Sequence, residues 1–308
     1  MVIEQMHLIG ISSQIQQIRD LIKKVAPTTA SVLITGETGT GKELVAQSIH
    51  DLSSRTGKFE ITDCGCIQET LAESELFGSK RGSYTSSVEN CPGKIIQADK
   101  GTLFLDEISN MNHTVQSKLL RFIENMTIEP VGGGRSVPLN IRILSATNQN
   151  LDQLQSTIRS DLYYRLKVCH IHIPPLRERS CDITSLSSYF ISTLCTKEHL
   201  PIKQMGSGVI NYLEGYEWPG NIRELKHSIH QAVILSGKSK ILSKDQFHLY
   251  QEFHLKSSTL YDSVKSLERL MISQALKAYG WNVTAAGRSL GVKRTTLAMK
   301  IKSLGLLR

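Results

Sequence analysis

The chain has 308 residues, long enough for about two or three domains, which excludes a peptide or a small disulfide-stapled scaffold. It has no signal segment after Met1 and no apolar run of membrane-spanning length, and its six cysteines are scattered, so we expect a cytoplasmic protein without a membrane partner. The formal net charge is +8, and the segment 263–308 accounts for it with nine basic side chains against one acidic side chain, which predicts either a polyanion-binding surface or a solvated basic helix.

The first predicted elements surround a glycine-rich turn. Apolar residues at helical spacing over 8–26 predict a helix that ends before Pro27, and the β-branched run Val32–Thr35 predicts a buried strand. The letters that follow, GETGTGKE, have the G-x-x-x-x-G-K spacing of a P-loop. Glycines let successive N–H groups face phosphate oxygens at a helix N-terminus, and the lysine adds an ammonium for the β- and γ-phosphates. The residues expected to bind a nucleotide are Gly36, Glu37, Thr38, Gly39, Thr40, Gly41, Lys42 and Glu43.

Carboxylates follow two further predicted strands. A short strand ends at Asp63, which is either a functional group or a turn residue. The segment 101–108, GTLFLDEI, predicts a buried strand from which Asp106 and Glu107 emerge as a Walker B pair. Asp106 is expected to hold Mg²⁺, or alternatively to cap a helix, and Glu107 to orient and deprotonate the attacking water. The pair matters because Glu43 occupies the P-loop position at which Ser or Thr usually binds magnesium.

A fourth predicted strand, 141–145, leads to two polar residues that are placed to sense a γ-phosphate, Thr147 and Asn148. The letters IRSDLYYR then place Arg159 and Arg165 on one short helical segment. Arginines that project from one subunit can complete the phosphate site of a neighbour. On the pattern alone, surface ion pairing is the favoured role for these two side chains.

Helical patterns dominate the rest of the chain. Three helices are predicted after residue 176, the last of them Asn221–Leu235 with Arg223 near its start, and they indicate a small lid over the nucleotide. Residues 237–262 are polar and have no sustained pattern, so they are interpreted as a linker.

The C-terminal segment has the plan of a helix-turn-helix. A short helix over 284–290, a turn at Gly291 and a basic helix over 294–304 follow one another. Packing of three helices without any DNA contact is the alternative. The residues expected to contact double-stranded DNA are Lys293, Arg294, Thr295 and Lys300.

Taken in order, these segments resemble one family, the sigma-54-dependent transcription activators or bacterial enhancer-binding proteins, which belong to the AAA+ ATPases. GETGTGKE is similar to the family's Walker A, including Glu43, and GTLFLDEI is similar to its Walker B. SATNQNL resembles sensor I, RSDLYYRL the arginine-finger segment, PPLRER the domain join and WPGNIREL sensor II. The stretch NVTAAGRSLGVKRTTLAMKIK resembles the family's Fis-type helix-turn-helix, so the likeness covers nearly the whole chain.

The resemblance implies a ring, commonly a hexamer, in which ATP lies between subunits. The residues implied to act on ATP within their own subunit are Lys42, Asp106, Glu107, Thr147, Asn148 and Arg223. Arg159 and Arg165 would reach in from the neighbouring subunit. In the family, hydrolysis drives a surface loop against the sigma factor and remodels the closed promoter complex. Because the family's opening motif begins at Leu8, we expect no receiver or sensory domain before it, and regulation by partner proteins, expression level or DNA occupancy.

Two departures from the family stand out. The GAFTGA loop that contacts sigma-54 appears here as Gly82, Ser83, Tyr84, Thr85, Ser86 and Ser87. Ser86 replaces a glycine and so loses backbone freedom. The family usually has Asn where Asp63 stands, and an Asp there would repel Glu107 unless a proton or a cation intervenes, so we expect altered regulation of hydrolysis.

The predicted fold class is α/β, an AAA+ P-loop parallel sheet with helices that is followed by an all-α lid and a helix-turn-helix. The predicted domains are 1–175, the lid 176–236, the linker 237–262 and the DNA-binding segment 263–308. The predicted function is that of a DNA-binding regulator that uses ATP and Mg²⁺ to remodel sigma-54 RNA polymerase, as a homo-oligomer. Because the loop is altered, the alternative is a regulator that is independent of sigma-54, or that joins a paralogue in a hetero-oligomer, and uses ATP mainly for assembly.

Overall fold

The computed structural model describes residues 8–65, 72–78, 93–128, 136–247 and 249, and in the C-terminal part 268–269, 271–273, 275–276 and 279–304. Contacts divide the chain into two units, Met1–Leu249 and Tyr250–Arg308, and each is described by itself. Among the helices in these ranges, none is long and apolar enough to cross a membrane.

The first unit is built around a parallel sheet. In chain order the strands of the described residues are β1 (Val32–Thr35), β2 (Phe59–Asp63), β3 (Thr102–Asp106), β4 (Thr127–Ile128), β5 (Val137–Pro138), β6 (Arg142–Thr147), β7 (Cys169–His172), β8 (Gln204–Met205) and β9 (Ile241–Leu242). The sheet has five of them in the order β2-β3-β6-β1-β7. Strands β4 and β5 form a short antiparallel ribbon, whereas β8 and β9 pair in parallel. The parallel sheet is the one that the sequence predicts.

Helices cover the sheet and form much of the lid and of the second unit. They include α1 (Ser13–Val25), α2 (Lys42–Asp51), α3 (Ala72–Phe77), α4 (Lys94–Gln97), α5 (His113–Asn125), α6 (Leu151–Thr157), α7 (Ser160–Leu166), α8 (Asp182–Lys197), α9 (Val209–Glu214), α10 (Asn221–Leu235), α11 (Val283–Ser289) and α12 (Arg294–Ser303). The first helix starts later than its apolar pattern suggests, because the Ser12 side chain accepts from the Ile15 N–H and caps it.

Strand β1 shows why the central strands have uninterrupted apolar runs. Val32 and Ile34 pack into the core on one face of the sheet, and Leu33 packs into the core on the other face. Successive side chains of a strand point to opposite faces, and both faces of this sheet are covered. The strand is therefore buried at all four positions, and its bounds are those predicted.

The carboxyl ends of the strands meet at one edge of the sheet. The last residue of β1, Thr35, is in register with Thr147 of β6, and Asp63 of β2 is in register with Asp106 of β3. In an open parallel sheet this edge is where ligands bind. The residues that the sequence singled out on four separate strands are thus brought together by strand pairing alone.

The lid extends beyond the predicted boundary at residue 236. Its core is formed around the fully buried Trp218, between α8 and α10, and includes Leu242 and Phe247. Strand β9, which contains Leu242, pairs with β8, so the first part of the interval 237–262 is ordered lid and not linker, and the lid is not purely helical. A strand of two residues is too short to give a periodic pattern, so the sequence does not predict β9.

A buried carboxylate joins the lid to the segment before α1. Asp182, the first residue of α8, is fully buried and accepts from the backbone N–H of Ile11 and of Ser12 and from the Ser12 hydroxyl. The guanidinium of Arg179 lies 3.9 Å from the same carboxylate. A Cβ at Gly10 would lie only 2.7 Å from an Asp182 oxygen, so the close approach requires glycine.

The second unit has the predicted helix-turn-helix arrangement. The side chain of Asn282 accepts from two N–H groups and caps α11, and Gly291, at φ +66°, forms the turn before α12. Leu297 of α12 is buried against Ala286 of α11 in a small apolar core. A Cβ at Gly287 would lie 2.9 Å from a backbone oxygen, so glycine permits the close contact at this turn.

Candidate active site

The predicted phosphate loop connects β1 to α2. Gly39 and Gly41 have φ of +80° and +104°, values that other residues rarely adopt, and Gly41 is the N-cap of α2. The hydroxyl of Thr40 donates to the carbonyl of Glu37 at 2.8 Å and closes the loop. The first N–H groups of a helix have no partners within it, and the helix dipole adds positive potential, so this loop and the start of α2 suit a phosphate group.

Lys42 is the central cation of the site. Its side chain is only 7% exposed, and its ammonium donates to the Gly36 carbonyl at 2.9 Å. The same nitrogen lies 3.4 Å from a Glu107 carboxylate oxygen. Lys42 therefore links the loop after β1 to the acidic end of β3.

Glu107 is held in position by three elements. Its backbone has φ +50°, a left-handed conformation that costs energy in a residue other than glycine, and its N–H donates to Asp106 Oδ1 at 3.1 Å. The backbone N–H of Asn148 donates to Glu107 Oε2 at 3.1 Å. Thr147 donates to the Ser109 hydroxyl at 3.2 Å. Of the two predicted sensor residues, Asn148 therefore contacts the predicted Walker B pair directly, whereas Thr147 contacts Ser109.

Burial and neighbouring charge disfavour ionisation of Asp106. The pKa of Asp106 is raised above its ordinary value, first by burial and then by the charge of Glu107, with Asp63 adding a smaller effect in the same direction. Lys42 acts in the opposite direction. Asp63 accepts from the N–H of Gly65 at 2.8 Å, as a turn residue does. The site thus gathers three carboxylates around one ammonium, and an added cation would relieve their repulsion.

The donor set matches what magnesium requires. Within the described ranges, no group of three or more His, Cys, Asp and Glu side chains is arranged to hold a metal by itself. Magnesium is usually bound through one or two carboxylates, with phosphate oxygens and water completing its shell. Asp106, at the carboxyl end of β3, offers a carboxylate at the position where this role would be filled beside a nucleotide, whereas Glu43 is an exposed residue in the first turn of α2.

Arg159 and Arg165 lie on exposed positions of the sheet domain. The Arg159 guanidinium pairs with Asp161 through two hydrogen bonds of 3.1 and 2.8 Å. Arg165 lies 3.5 Å from Glu124. These contacts belong to α5 and α7, and the described residues include no contact between either arginine and the phosphate loop of the same chain.

The lid contacts the phosphate loop through Arg177 and Asn221, which the sequence analysis does not identify as site residues. Arg177 donates to both carboxylate oxygens of Glu37, at 2.8 and 2.6 Å, and the Asn221 amide donates to Glu37 at 3.1 Å. The Arg177 hydrogen bonds lower the pKa of Glu37, more strongly than burial raises it. The side chain of Arg223 is exposed, and its backbone N–H lies 3.4 Å from the Gly39 carbonyl. Arg177 and Asn221 lie in the segments PPLRER and WPGNIREL. These motifs mark the two residues in the sequence, but they do not show that both bind Glu37.

The C-terminal unit exposes several cations at the start and near the end of α12. Lys293, Arg294, Thr295 and Lys302 are exposed. The ammonium of Lys300, in contrast, donates to Glu268 within the same unit. The Lys300 ammonium therefore points toward Glu268, whereas Lys302, which the sequence analysis does not single out, is exposed.

Residues 82–87, the predicted contact loop for sigma-54, lie outside the described residues.

Comparison with protein families covers almost the whole chain. Residues 8–172 match the Sigma-54 interaction domain, residues 177–265 the AAA+ ATPase lid domain, and residues 263–304 the Bacterial regulatory protein, Fis family. The chain belongs to the sigma-54-dependent activators. The resemblance inferred from the motifs is thereby confirmed, as is the AAA+ fold with its lid and Fis-type helix-turn-helix.

Named relatives of this activator family are also similar along most of the chain. Nitrogen fixation protein AnfA of Azotobacter vinelandii is 41% identical over 307 residues, which cover 97% of this chain and 58% of AnfA. The anaerobic nitric oxide reductase transcription regulator NorR of Salmonella paratyphi C is 38% identical over 323 aligned residues, with 99% of this chain and 64% of NorR covered. The chain therefore spans less than two thirds of the length of these curated relatives.

A solved structure has the same fold. NtrX from Brucella abortus in complex with ATP superposes with a TM-score of 0.73 and 32% identity, over 97% of this chain and 69% of NtrX. The ADP complex of the same protein gives a TM-score of 0.72 and 31% identity.

We expect the substitution Asp106→Asn to stabilise the nucleotide-free chain. A pKa raised by folding means that the fold favours the protonated form, so this group's contribution is present at low pH and is lost as pH rises through the raised pKa. At neutral pH a neutral amide removes the repulsion, and the midpoint of thermal unfolding should rise by about 1–3 °C. Added Mg·ATP should stabilise the variant less than the native chain.

The control for that experiment is Asp152→Asn, at an exposed position in the first turn of α6. Its midpoint should stay close to native with and without Mg·ATP. A lower midpoint for Asp106→Asn without nucleotide would contradict the electrostatic account.

Proposed function

We propose that this protein is a DNA-binding transcription regulator that hydrolyses ATP to remodel sigma-54 RNA polymerase at promoters. The observation that carries the proposal is the 3.4 Å contact between Lys42 and Glu107, which joins a P-loop to a Walker B carboxylate in a chain that matches the Sigma-54 interaction domain. The ATP and ADP complexes of NtrX support nucleotide binding at the equivalent fold.

In this proposal the chain's own residues divide the work on ATP. The N–H groups from Gly36 to Glu43 and the Lys42 ammonium bind the phosphates. Bound Mg²⁺, held through Asp106, would neutralise phosphate charge. Glu107 accepts a proton from the attacking water, and its orientation is supported by the Asn148 N–H at 3.1 Å. Asn148 contacts Glu107 directly and Thr147 precedes it in the chain, which suits residues that respond to the γ-phosphate.

Arg159 and Arg165 are proposed to act on the site of a neighbouring subunit. Both side chains are exposed, and their contacts are to Asp161, Ser117 and Glu124 rather than to the phosphate loop. Exposed ion pairs are worth little, so either guanidinium can exchange its partner for a phosphate at low cost. We propose a homo-oligomer, with a hexameric ring as the expected state.

Asp63 is proposed to alter the control of hydrolysis. Its charge adds to that of Glu107 in raising the pKa of Asp106, and its own carboxylate accepts from Gly65. A residue that is occupied in a turn and repels the Walker B pair is poorly suited to restrain Glu107 by a hydrogen bond, as the family's asparagine is expected to do.

Transcription in vitro tests the main proposal. With sigma-54 RNA polymerase and a sigma-54 promoter template, the native protein should form ATP-dependent open complexes, and Lys42→Ala should abolish them because the phosphates lose their buried cation. A matched protein with the family loop sequence at 83–87 separates the altered loop from the ATPase. If only the version with the family loop is active, the alternatives of a sigma-54-independent or hetero-oligomeric regulator are favoured. Open complexes formed by the Lys42→Ala variant would contradict the proposal.

Mixing of variants tests whether Arg159 acts between subunits. Glu107→Gln and Arg159→Ala should each lose ATP hydrolysis by about 10²-fold or more. Mixed together, they should regain part of the activity, because some sites combine an intact Glu107 with an intact Arg159 from the neighbour. A mixture no more active than either variant would contradict action between subunits.

DNA binding is proposed to use the exposed face of α12. Arg294→Ala should make the fall of log K with log salt shallower, reducing the magnitude of the slope by about 0.9, the value for one lost phosphate contact. Lys300→Ala is the matched control, and it should leave the slope unchanged because its ammonium pairs with Glu268. Fluorescence anisotropy of a labelled duplex across a salt series measures both, and equal losses for the two variants would contradict this assignment.

A further inference from the structure

The lid holds the phosphate loop along its carbonyl side. The Thr38 carbonyl accepts from the Asn221 amide at 3.1 Å, and the Gly39 carbonyl accepts from the backbone N–H of Ile222 at 3.0 Å. The Thr40 carbonyl accepts from Arg179 at 3.1 Å. Three consecutive carbonyl groups of the loop are thus bound by residues of the lid and of the turn that leads into it.

Peptide planarity makes these contacts matter for the opposite side of the loop. In a trans peptide the C=O of one residue and the N–H of the next lie in one plane and point in opposite directions. The contacts to the Thr38 and Thr40 carbonyls therefore fix the directions of the N–H groups of Gly39 and Gly41. These N–H groups lie on the side proposed for phosphate. Their orientation depends on whether the lid is in place.

Glu37 and Asn221 form the connection between the two parts. Asn221 is fully buried at the start of α10, and its amide oxygen accepts from the Leu176 N–H at 2.8 Å while its nitrogen donates to Glu37 and to Thr38. Arg177 binds both oxygens of Glu37. The bidentate geometry favours one orientation of the carboxylate.

The fit between loop and lid is close. A Cβ at Gly39 would lie 2.4 Å from the Gly220 carbonyl oxygen, so the backbones touch where the loop turns. Asn221 itself has φ +51°, a left-handed conformation that its side-chain contacts offset. A loop and a lid in such contact cannot move independently by more than a small distance.

We propose that Glu37, Arg177 and Asn221 form a clasp through which the lid holds the phosphate loop in its binding conformation and sets the rate of nucleotide release. The proposal rests on the proposed binding of ATP. Glu37 is then a positioning residue: its carboxylate is turned toward the lid, and it acts on the nucleotide through the loop. Release of the clasp frees the lid from the loop and lets the N–H groups reorient.

The clasp is suited to reversible opening. The Glu37 and Arg177 side chains are 41% and 37% exposed, so solvent and salt weaken their attraction. Nucleotide release should therefore be faster at high ionic strength in the native chain, and less dependent on ionic strength once the charge of Glu37 is removed.

Stopped-flow dissociation of a fluorescent ADP analogue from the full chain tests the clasp. Glu37→Gln keeps the shape of the side chain but lacks the charge, and Arg177→Met keeps the stem without the guanidinium. Each should speed release by about three- to fivefold, which is the upper range for one partly exposed ion pair. The double variant should release no faster than either single variant, because both remove the same interaction. Arg177→Lys should recover part of the native rate.

Glu178→Gln is the matched control. Glu178 is exposed, lies next to Arg177 and acts on it through its charge, so its substitution should leave release near the native rate. Native release rates in both single variants, or rates that multiply in the double variant, would overturn the clasp. A native chain that fails to bind the ADP analogue overturns the proposed function as well, whereas native binding with unaltered variant rates overturns the clasp alone.

Discussion

Parallel pairing of β1, β3 and β6 is the constraint on which the site depends. Because the strands are parallel, their carboxyl ends meet at one edge, and the register places Thr35 beside Thr147 and Asp63 beside Asp106. The contact of Lys42 with Glu107, which joins the loop after β1 to the end of β3, depends on that register. A slip of one residue in either pairing would turn these side chains toward the opposite face of the sheet. The apolar cores on both faces hold the register, so the packing of the sheet and the chemistry of its edge have one origin.

The sequence predicts the sheet and most of the site because their determinants are local. An apolar β-branched run gives β1 with its observed bounds, and helical periodicity gives α10 with its observed bounds. The glycine spacing and the position of Asp106 and Glu107 after a strand are likewise legible in short windows. What the sequence did not predict depends on contacts between distant segments. The pairing of Glu37 with Arg177 spans 140 residues, and that of Lys300 with Glu268 spans 32. Strand β9 was not predicted for a different reason, because a strand of two residues is too short to show an alternating pattern.

The residues at the carboxyl ends of the strands lower the stability of the nucleotide-free fold. Asp63, Asp106 and Glu107 lie together, and burial with mutual repulsion raises the pKa of Asp106. Glu107 adds the cost of a left-handed backbone conformation. Functional sites commonly retain such costs, because the groups are arranged for a ligand and not for the empty fold. Here one ammonium, that of Lys42, offsets part of the repulsion, and a metal ion that accompanies a bound nucleotide would supply further positive charge.

The hydrogen bonds of the buried Asp182 carboxylate show that the folded unit of the sheet and lid begins before α1. Secondary structure suggests α1 as the start, yet the backbone N–H groups of Ile11 and Ser12 satisfy Asp182, and Ile9 packs against the lid core. A chain shortened to the first residue of α1 would leave the buried Asp182 carboxylate without the three hydrogen-bond donors that Ile11 and Ser12 supply. The five residues from 8 to 12, which have no regular secondary structure, are therefore part of the lid's attachment.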